Sequence, residues 1–339
     1  MSARGAPPAR RSRTILRMAN RTLRLVVVAA AGDPVRAALA ALPAGVETSV
    51  GATAAELAAA APEAEVVYYC SGGKAVLPEL WPRLRRLRWL ASRPTGVDGL
   101  VFPELAASDV VLTNSRVAFS QALAEWVLAA VLFFAKDLRR LVKSQEAGAW
   151  DVFEPRLLSA ATAGIVGLGD IGRACAALLR AAGLRTLGLR RGAGGGASGA
   201  DELLGPAALP ELLARSDYVV LALPLTPETR HLIGAPALRQ MRPGAVLVNV
   251  GRGALIDEPA LVDALREGRL RGAALDVFEK EPLPAGHPFF ALPSVLLSPH
   301  SADQVQGWRE QAHAAFLLNL DRYRAGQPLT NVVDTARGY

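Results

Sequence analysis

Three positions stand out for the chemistry that their residue types permit. His300 closes a strand-like apolar run in Ser298-Pro299-His300. An imidazole exchanges a proton near neutral pH, so it suits a general acid in one direction and a general base in the other. Arg252 follows another apolar run and lies between Gly251 and Gly253, which leave its approach open. Its planar fork of donors fits a carboxylate and can polarise a carbonyl. Upstream of the histidine lies Glu279-Lys280-Glu281-Pro282. A carboxylate set against an imidazole favours the imidazolium and fixes the ring. Read alone, each has a plain alternative: a surface arginine in a loop, a core histidine, a solvated charge run.

A fourth feature supplies something for those residues to work beside. Residues 162–191 read as an apolar run, a glycine turn, a helix and a second apolar run. The turn is Gly167-Leu168-Gly169-Asp170-Ile171-Gly172, a G-x-G-x-x-G. Gly167 lets the chain leave the strand sharply. Gly169 removes a side chain where a pyrophosphate approaches the backbone, and Gly172 lets the helix lie close to the strand. The helix N-terminus then offers unpaired N–H groups to phosphate. A chain with 31 glycines produces such strings by chance. The apolar run before and the Ala/Leu-rich helix after are what favour a dinucleotide site over an ordinary strand–helix turn.

The far end of this unit bears on which dinucleotide. NAD-type sites carry an acid about 20 residues after the turn, which bonds the ribose hydroxyls. Here that position holds Arg190 and Arg191, and the next acid is Asp201. Arginines attract a 2′-phosphate that an acid would repel. The expected cofactor is NADP(H), with NAD(H) as the alternative if the pair faces solvent.

These features need elements to hold them. Apolar β-prone runs fall near 23–30, 46–50, 66–70, 87–91 and 110–113, then near 163–167, 185–190, 218–223, 245–250, 272–277 and 295–298. Helical stretches separate most of them. Strands alternating with helices predict parallel sheets covered on both faces, hence an α/β protein with two doubly wound, Rossmann-like units. The longest apolar helix, 120–136, should be buried, and a final helix near 304–325 ends at Gly326. Ser71-Gly72-Gly73 follows the third run, where glycines permit a backbone nest for an anion or simply a turn. The stretch 192–199 is glycine-rich and reads as flexible.

Bulk composition narrows the class. At 51% hydrophobic and 20% charged residues, the 339-residue chain reads as a soluble globular protein of about two domains. No apolar run reaches the roughly 18 residues of a membrane span. The net charge of +7 suggests nucleic acid at first. Six of those charges, however, are Arg4, Arg10, Arg11, Arg13, Arg17 and Arg21, in an acid-free leader. A basic tail of that kind is not a binding face. It reads as a disordered extension over 1–21, with a transit-peptide likeness as the alternative. Cys70 and Cys175, the only cysteines, have no metal-ligand spacing, so no metal site is expected and a reducing cytoplasm fits.

From residue 221 onward the chain resembles the D-isomer-specific 2-hydroxyacid dehydrogenases. Leu223-Pro224-Leu225-Thr226-Pro227-Glu228-Thr229, Val248-Asn249-Val250-Gly251-Arg252-Gly253, Ala274-Leu275-Asp276-Val277-Phe278-Glu279-Lys280-Glu281-Pro282 and Ser298-Pro299-His300 are similar, in order and spacing, to that family's motifs. The likeness extends through Thr113-Asn114-Ser115 to Asn331-Val332-Val333-Asp334. It implies a discontinuous substrate domain over 22–118 and 304–339, a dinucleotide domain over 119–303, an active-site cleft between them, and a homodimer.

The resemblance also implies roles. Arg252, Glu281 (rather than Glu279) and His300 would be the catalytic set. Gly167, Gly169, Asp170, Ile171, Gly172, Arg190, Arg191, Pro224, Thr229, Val250, Gly251, Arg252, Asp276 and His300 would line the cofactor. Asp276 would meet the nicotinamide carboxamide; its alternative is a strand-end cap. Ser71, Gly72 and Gly73, with Arg252 and His300, would hold a small 2-keto or 2-hydroxy acid of D configuration. The reaction implied is hydride transfer between nicotinamide dinucleotide and that acid, with no nucleic-acid or membrane partner. An alternative from another class is an NAD(H)-sensing, corepressor-like binding module, since such proteins keep the same triad on the same fold. One stretch departs from the family: Arg93-Pro94-Thr95 stands before Gly96-Val97-Asp98, where small residues are usual.

Overall fold

The structure, a computed structural model, describes residues 22–116, 119–191 and 199–335, which fall into two compact units. The basic leader at 1–21 and the glycine-rich residues 192–198 lie outside the described residues.

The first unit comprises described residues 22–116 and 307–335. Its strands are β1 (Leu23–Val28), β2 (Val46–Gly51), β3 (Val66–Tyr69), β4 (Trp89–Ser92) and β5 (Val111–Thr113). They pair in parallel in the order β2-β1-β3-β4-β5. Alternate side chains feed two cores, as a sheet covered on both faces requires. Val26, Val28, Val67 and Leu90 meet Leu57, Leu77, Leu80 and Leu105 on one face. Leu25, Val27, Tyr68 and Trp89 meet Phe316 and Leu320 of the helix Trp308–Arg324 on the other. Phe316 stacks on Tyr68 with ring centroids 3.9 Å apart.

The second unit comprises described residues 119–191 and 199–306. Its strands are β6 (Thr162–Val166), β7 (Arg185–Leu189), β8 (Glu202–Leu204), β9 (Tyr218–Leu221), β10 (Val246–Asn249), β11 (Gly272–Leu275) and β12 (Val295–Leu297). Their order is β12-β11-β10-β9-β6-β7-β8, and every pairing is parallel. Successive strands run outward from β6 to β8, and then from β9 to β12 on the other side. The order therefore reverses between β6 and β9, and ligands of open α/β sheets bind at the carboxyl ends beside such a switch point.

Both sheets are the doubly wound parallel kind that the alternation of runs predicts. One strand was not predicted. β8 is three residues at the sheet edge, and its Leu203 is exposed, so it forms no apolar run to read. The helix Ser120–Ala135 belongs to the second unit and packs on the helix Asp170–Ala181. Its Phe134 lies over Gly272, where a Cβ would come within 2.3 Å of the ring.

Candidate active site

The glycine turn leaves β6 and becomes the N-terminus of the helix Asp170–Ala181. Gly167 has φ +100°, and a Cβ there would meet the Ala222 carbonyl oxygen at 2.8 Å. A Cβ on Gly172 would fall 1.8 Å from the Gly167 oxygen, so only glycine permits this helix-to-strand approach. Gly169 differs. It is the helix N-cap with no side-chain cap, and a Cβ there would meet nothing within 4 Å. Open space beside a helix N-terminus that has no side-chain cap is what a pyrophosphate requires, so these residues fit a dinucleotide. Asp170 is turned to Arg173 of its own helix, and Ile171 is half-buried beside it.

Arg190 and Arg191 directly follow β7, and the Arg190 N–H donates to the Leu204 carbonyl of the edge strand. The acids after them have hydrogen-bond partners of their own. Asp201 accepts from the Thr186 N–H and hydroxyl, both at 2.9 Å. Glu202 is bound by Arg185 and Arg215. Glu228 bonds the Thr226 hydroxyl, which lowers its pKa, and Arg191 adds a smaller electrostatic contribution. At the ends of β9 and β10, Thr229 Oγ1 donates to the Pro224 carbonyl at 2.8 Å and accepts from the Thr226 N–H at 2.7 Å. The Val250 N–H donates to Leu221 O, joining the two strand ends.

The arginine loop is built by a residue that the sequence did not single out. Asn249 is fully buried. Its side-chain oxygen accepts from the Gly251 N–H at 3.0 Å, and its amide donates to the Arg252 carbonyl at 2.9 Å. Arg252 is thereby held in extended conformation, with Nη1 donating to the Gly251 carbonyl. Gly253 is packed directly against the acidic loop: a Cβ there would fall 1.8 Å from the Phe278 carbonyl carbon. The arginine loop and the loop bearing Glu281 therefore sit backbone to backbone.

Glu281 and His300 are joined. His300 Nδ1 lies 2.7 Å from Glu281 Oε2, while Glu281 Oε1 accepts from the Phe278 N–H at 2.9 Å. The hydrogen bond to Glu281 is the main cause of a raised pKa at His300, offsetting burial and the nearby Arg252 charge. Burial alone would raise the Glu281 pKa, but the bonds from His300 and Phe278 and the two positive charges hold it below its ordinary value. Glu279, the neighbouring carboxylate, pairs instead with His231. His300 has φ +52°, a left-handed turn. Its N–H donates to the Asp276 carbonyl, and Asp276 Oδ1 accepts from the N–H groups of Ser301 and Ala302. Buried Asp276 thus does the work of a strand-end cap, holding the histidine loop. Asp303, also unforeseen, lies close enough to feel the His300 charge, and burial raises its pKa.

Ser71, Gly72 and Gly73 lie in the other unit, after β3. The Ser71 hydroxyl donates to Asp33 Oδ2 and accepts from the Ala30 N–H, so its one proton is already committed. Gly72 has φ +144°, and its carbonyl accepts from the Tyr69 hydroxyl at 2.7 Å. Among the described residues, neither the Gly72 nor the Gly73 N–H donates to a backbone carbonyl. The described residues contain no cluster of acids, histidines and cysteines able to hold a metal ion. They also contain no helix long and apolar enough to cross a membrane.

Two parallel sheets, a glycine turn at the switch point and a paired histidine and glutamate beside an arginine loop define a class of dinucleotide-dependent enzymes. The sequence matches it. Residues 128–302 fit the profile described as D-isomer specific 2-hydroxyacid dehydrogenase, NAD binding domain, and the chain belongs to that family. A glyoxylate reductase of Korarchaeum cryptofilum is 33% identical over 267 residues, which span 76% of this chain and 79% of that protein. A D-3-phosphoglycerate dehydrogenase of Methanocaldococcus jannaschii is 31% identical over 297 residues, 85% of this chain but 55% of that protein's length. Among solved structures, a D-isomer specific 2-hydroxyacid dehydrogenase from Xanthobacter autotrophicus Py2, in complex with NADPH and MES, is 34% identical. It covers 94% of this chain with a TM-score of 0.80.

Proposed function

We propose that this protein is an NADPH-preferring reductase of small 2-keto acids, yielding 2-hydroxy acids of D configuration. The observation that carries the reading is the 2.7 Å bond between His300 Nδ1 and Glu281 Oε2, next to the arginine loop. Glu281 occupies Nδ1 and so leaves Nε2 to carry the exchanged proton. The raised pKa favours the charged ring, the form that donates a proton to a carbonyl oxygen. Arg252 grips the substrate carboxylate and polarises the carbonyl. In the first unit, the Gly72 and Gly73 N–H groups are the proposed carboxylate donors, a backbone role that leaves the Ser71 hydroxyl to its own loop.

The turn from Gly167 to Gly172 holds the pyrophosphate, and Arg190 and Arg191 the 2′-phosphate. Pro224, Thr229, Val250 and Gly251 shape the nicotinamide end, with Asp276 at the carboxamide. When bound, the nicotinamide supplies the hydride. The relative crystallised with NADPH supports the cofactor preference, and the glyoxylate reductase relative supports the substrate class. Two unpaired buried cysteines support a reducing, cytoplasmic setting.

A second copy of the chain is the proposed partner. The helix Leu138–Glu146 buries none of its residues, and Leu141, Val142, Trp150, Val152 and Leu157 are all exposed along one stretch of chain. Light scattering on Leu141→Asp/Trp150→Asp should give a monomer where the parent gives a dimer. The function is tested by following NADPH oxidation with glyoxylate and hydroxypyruvate. Turnover that is lost in His300→Ala and Arg252→Ala supports it, and near-normal kcat in both variants refutes it.

A further inference from the structure

The carboxyl ends of three neighbouring strands of the first unit are tied by one ion pair that the proposed reaction does not use. Asp33 follows β1, Ser71 follows β3 and Arg93 follows β4, and these strands are adjacent in the sheet. Arg93 Nη1 and Nη2 each donate to one Asp33 oxygen at 2.7 Å, a bidentate bond across 60 residues of sequence. The two side chains are only 6% and 4% exposed. Asp33 also accepts from the Val35 N–H at 3.0 Å and from the Ser71 hydroxyl. Ser71 in turn accepts from the Ala30 N–H, closing the network onto the end of β1. Arg93 is flanked by Trp308, with its guanidinium carbon 5.4 Å from the ring centroid.

A buried ion pair adds little stability over apolar packing, yet it fixes geometry, because breaking it strands a charge away from water. What this one fixes is the Ser71-Gly72-Gly73 loop. Ser71 hangs from Asp33, the Gly72 carbonyl hangs from Tyr69, and a Cβ on Gly72 would press on Val28 at 3.2 Å. The Gly72 and Gly73 amides are then held in place by groups that never touch the ligand. Arg93 thus places a cation inside the sheet end, where Asp33 neutralises it, rather than on the surface.

We propose that Asp33 and Arg93 are positioning residues that, through the Ser71 hydroxyl, pre-set the carboxylate-binding loop and so determine affinity for the 2-keto acid. This rests on the proposed role of Gly72 and Gly73. With the cation neutralised inside the sheet, the loop recognises one carboxylate through backbone N–H groups. Loosening the clamp should weaken keto-acid binding while leaving the dinucleotide and the proton-transfer step, both in the other unit, largely alone.

The test compares Ser71→Ala, Ser71→Thr and Asp33→Asn with the parent by steady-state kinetics and by hydrogen exchange of the loop amides. Ser71→Ala should raise KM for glyoxylate about tenfold, with kcat and the KM for NADPH within about threefold, since one charge-assisted bond is lost. Ser71→Thr keeps the hydroxyl and should restore the parent KM. Asp33→Asn should raise KM at least as much as Ser71→Ala, and the double variant should be no worse than Asp33→Asn alone. Exchange at residues 71–74 should speed up in Ser71→Ala but not in Ser71→Thr, a readout independent of turnover. A parent-like KM and parent-like exchange in Ser71→Ala would overturn the proposal. So would kcat, both KM values and Tm moving together, as a general loss of structure would make them. If Asp33→Asn does not fold, the Ser71 pair decides. A parent enzyme that turns over no keto acid refutes the function instead, and the exchange result still reports on the clamp.

Discussion

Glu281→Gln separates the carboxylate's charge from its shape. Glutamine keeps an oxygen for the Phe278 N–H or for the imidazole but removes the negative charge 2.7 Å from His300 Nδ1. Hydrogen bonds to charged groups contribute about 1.5–3 kcal/mol, and neutral ones about 0.5–1.5. The His300 and Glu281 side chains are 44% and 35% exposed, so solvent screens the pair and the difference falls at the low end. A loss of about 1 kcal/mol corresponds to roughly a fivefold lower kcat/KM for reduction near neutral pH. The pH profile is the more pointed readout. Reduction needs His300 protonated, so its rate falls as pH rises through the His300 pKa, which Glu281 holds up. In Glu281→Gln that falling limb should move to lower pH. Oxidation of the hydroxy acid needs the neutral ring, so its rising limb should move to lower pH as well. The assay is kcat/KM for glyoxylate with NADPH across pH, with the reverse reaction alongside. A falling limb that stays in place, or moves to higher pH, would refute the role given to the pair.

Three further expectations follow from particular contacts. Gly253→Ala drives a methyl to within 1.8 Å of the Phe278 backbone and should cost about 3 kcal/mol or more of stability, together with activity; a parent-like Tm would contradict that packing. Asp33 is held down to about 2 from 3.8, mainly by Arg93 and Ser71 against burial that would raise it. Its contribution of about 2 kcal/mol is therefore full above about pH 4 and lost as pH falls toward 2, which denaturant melts of the parent and Asp33→Asn would register as a narrowing gap. Arg190→Asp should lower the kcat/KM ratio of NADPH to NADH by roughly tenfold to a hundredfold, and an unchanged ratio would remove Arg190 from the cofactor site.

Much of the fold could be read because parallel strands buried on both faces are continuous apolar runs, as in β1, β3, β9 and β10. The edge strand β8 could not, since it needs no apolar run to pair on one side. Arg252, Glu281 and His300 were visible as motifs, and the glycines because each solves a steric problem that the structure shows at Gly167 and Gly172. What escaped were side chains that act on backbone or across long sequence gaps. Asn249 shapes the arginine loop with two bonds to residues beside it, yet an asparagine at a strand end has many meanings. Asp33 and Arg93 are joined only by the sheet order, which places the ends of β1, β3 and β4 together. The loop at Ser71-Gly72-Gly73 is legible as a backbone nest, but the bond from the Ser71 hydroxyl to Asp33 across 38 residues is not.

The most direct measurement is the initial rate of NADPH oxidation by the parent protein with a panel of small 2-keto acids, repeated in His300→Ala and Arg252→Ala. Turnover of at least one keto acid, reduced about a hundredfold or more in each variant, is the expected result. NADPH bound tightly with no keto acid reduced would contradict the assignment and favour a sensor on the same fold.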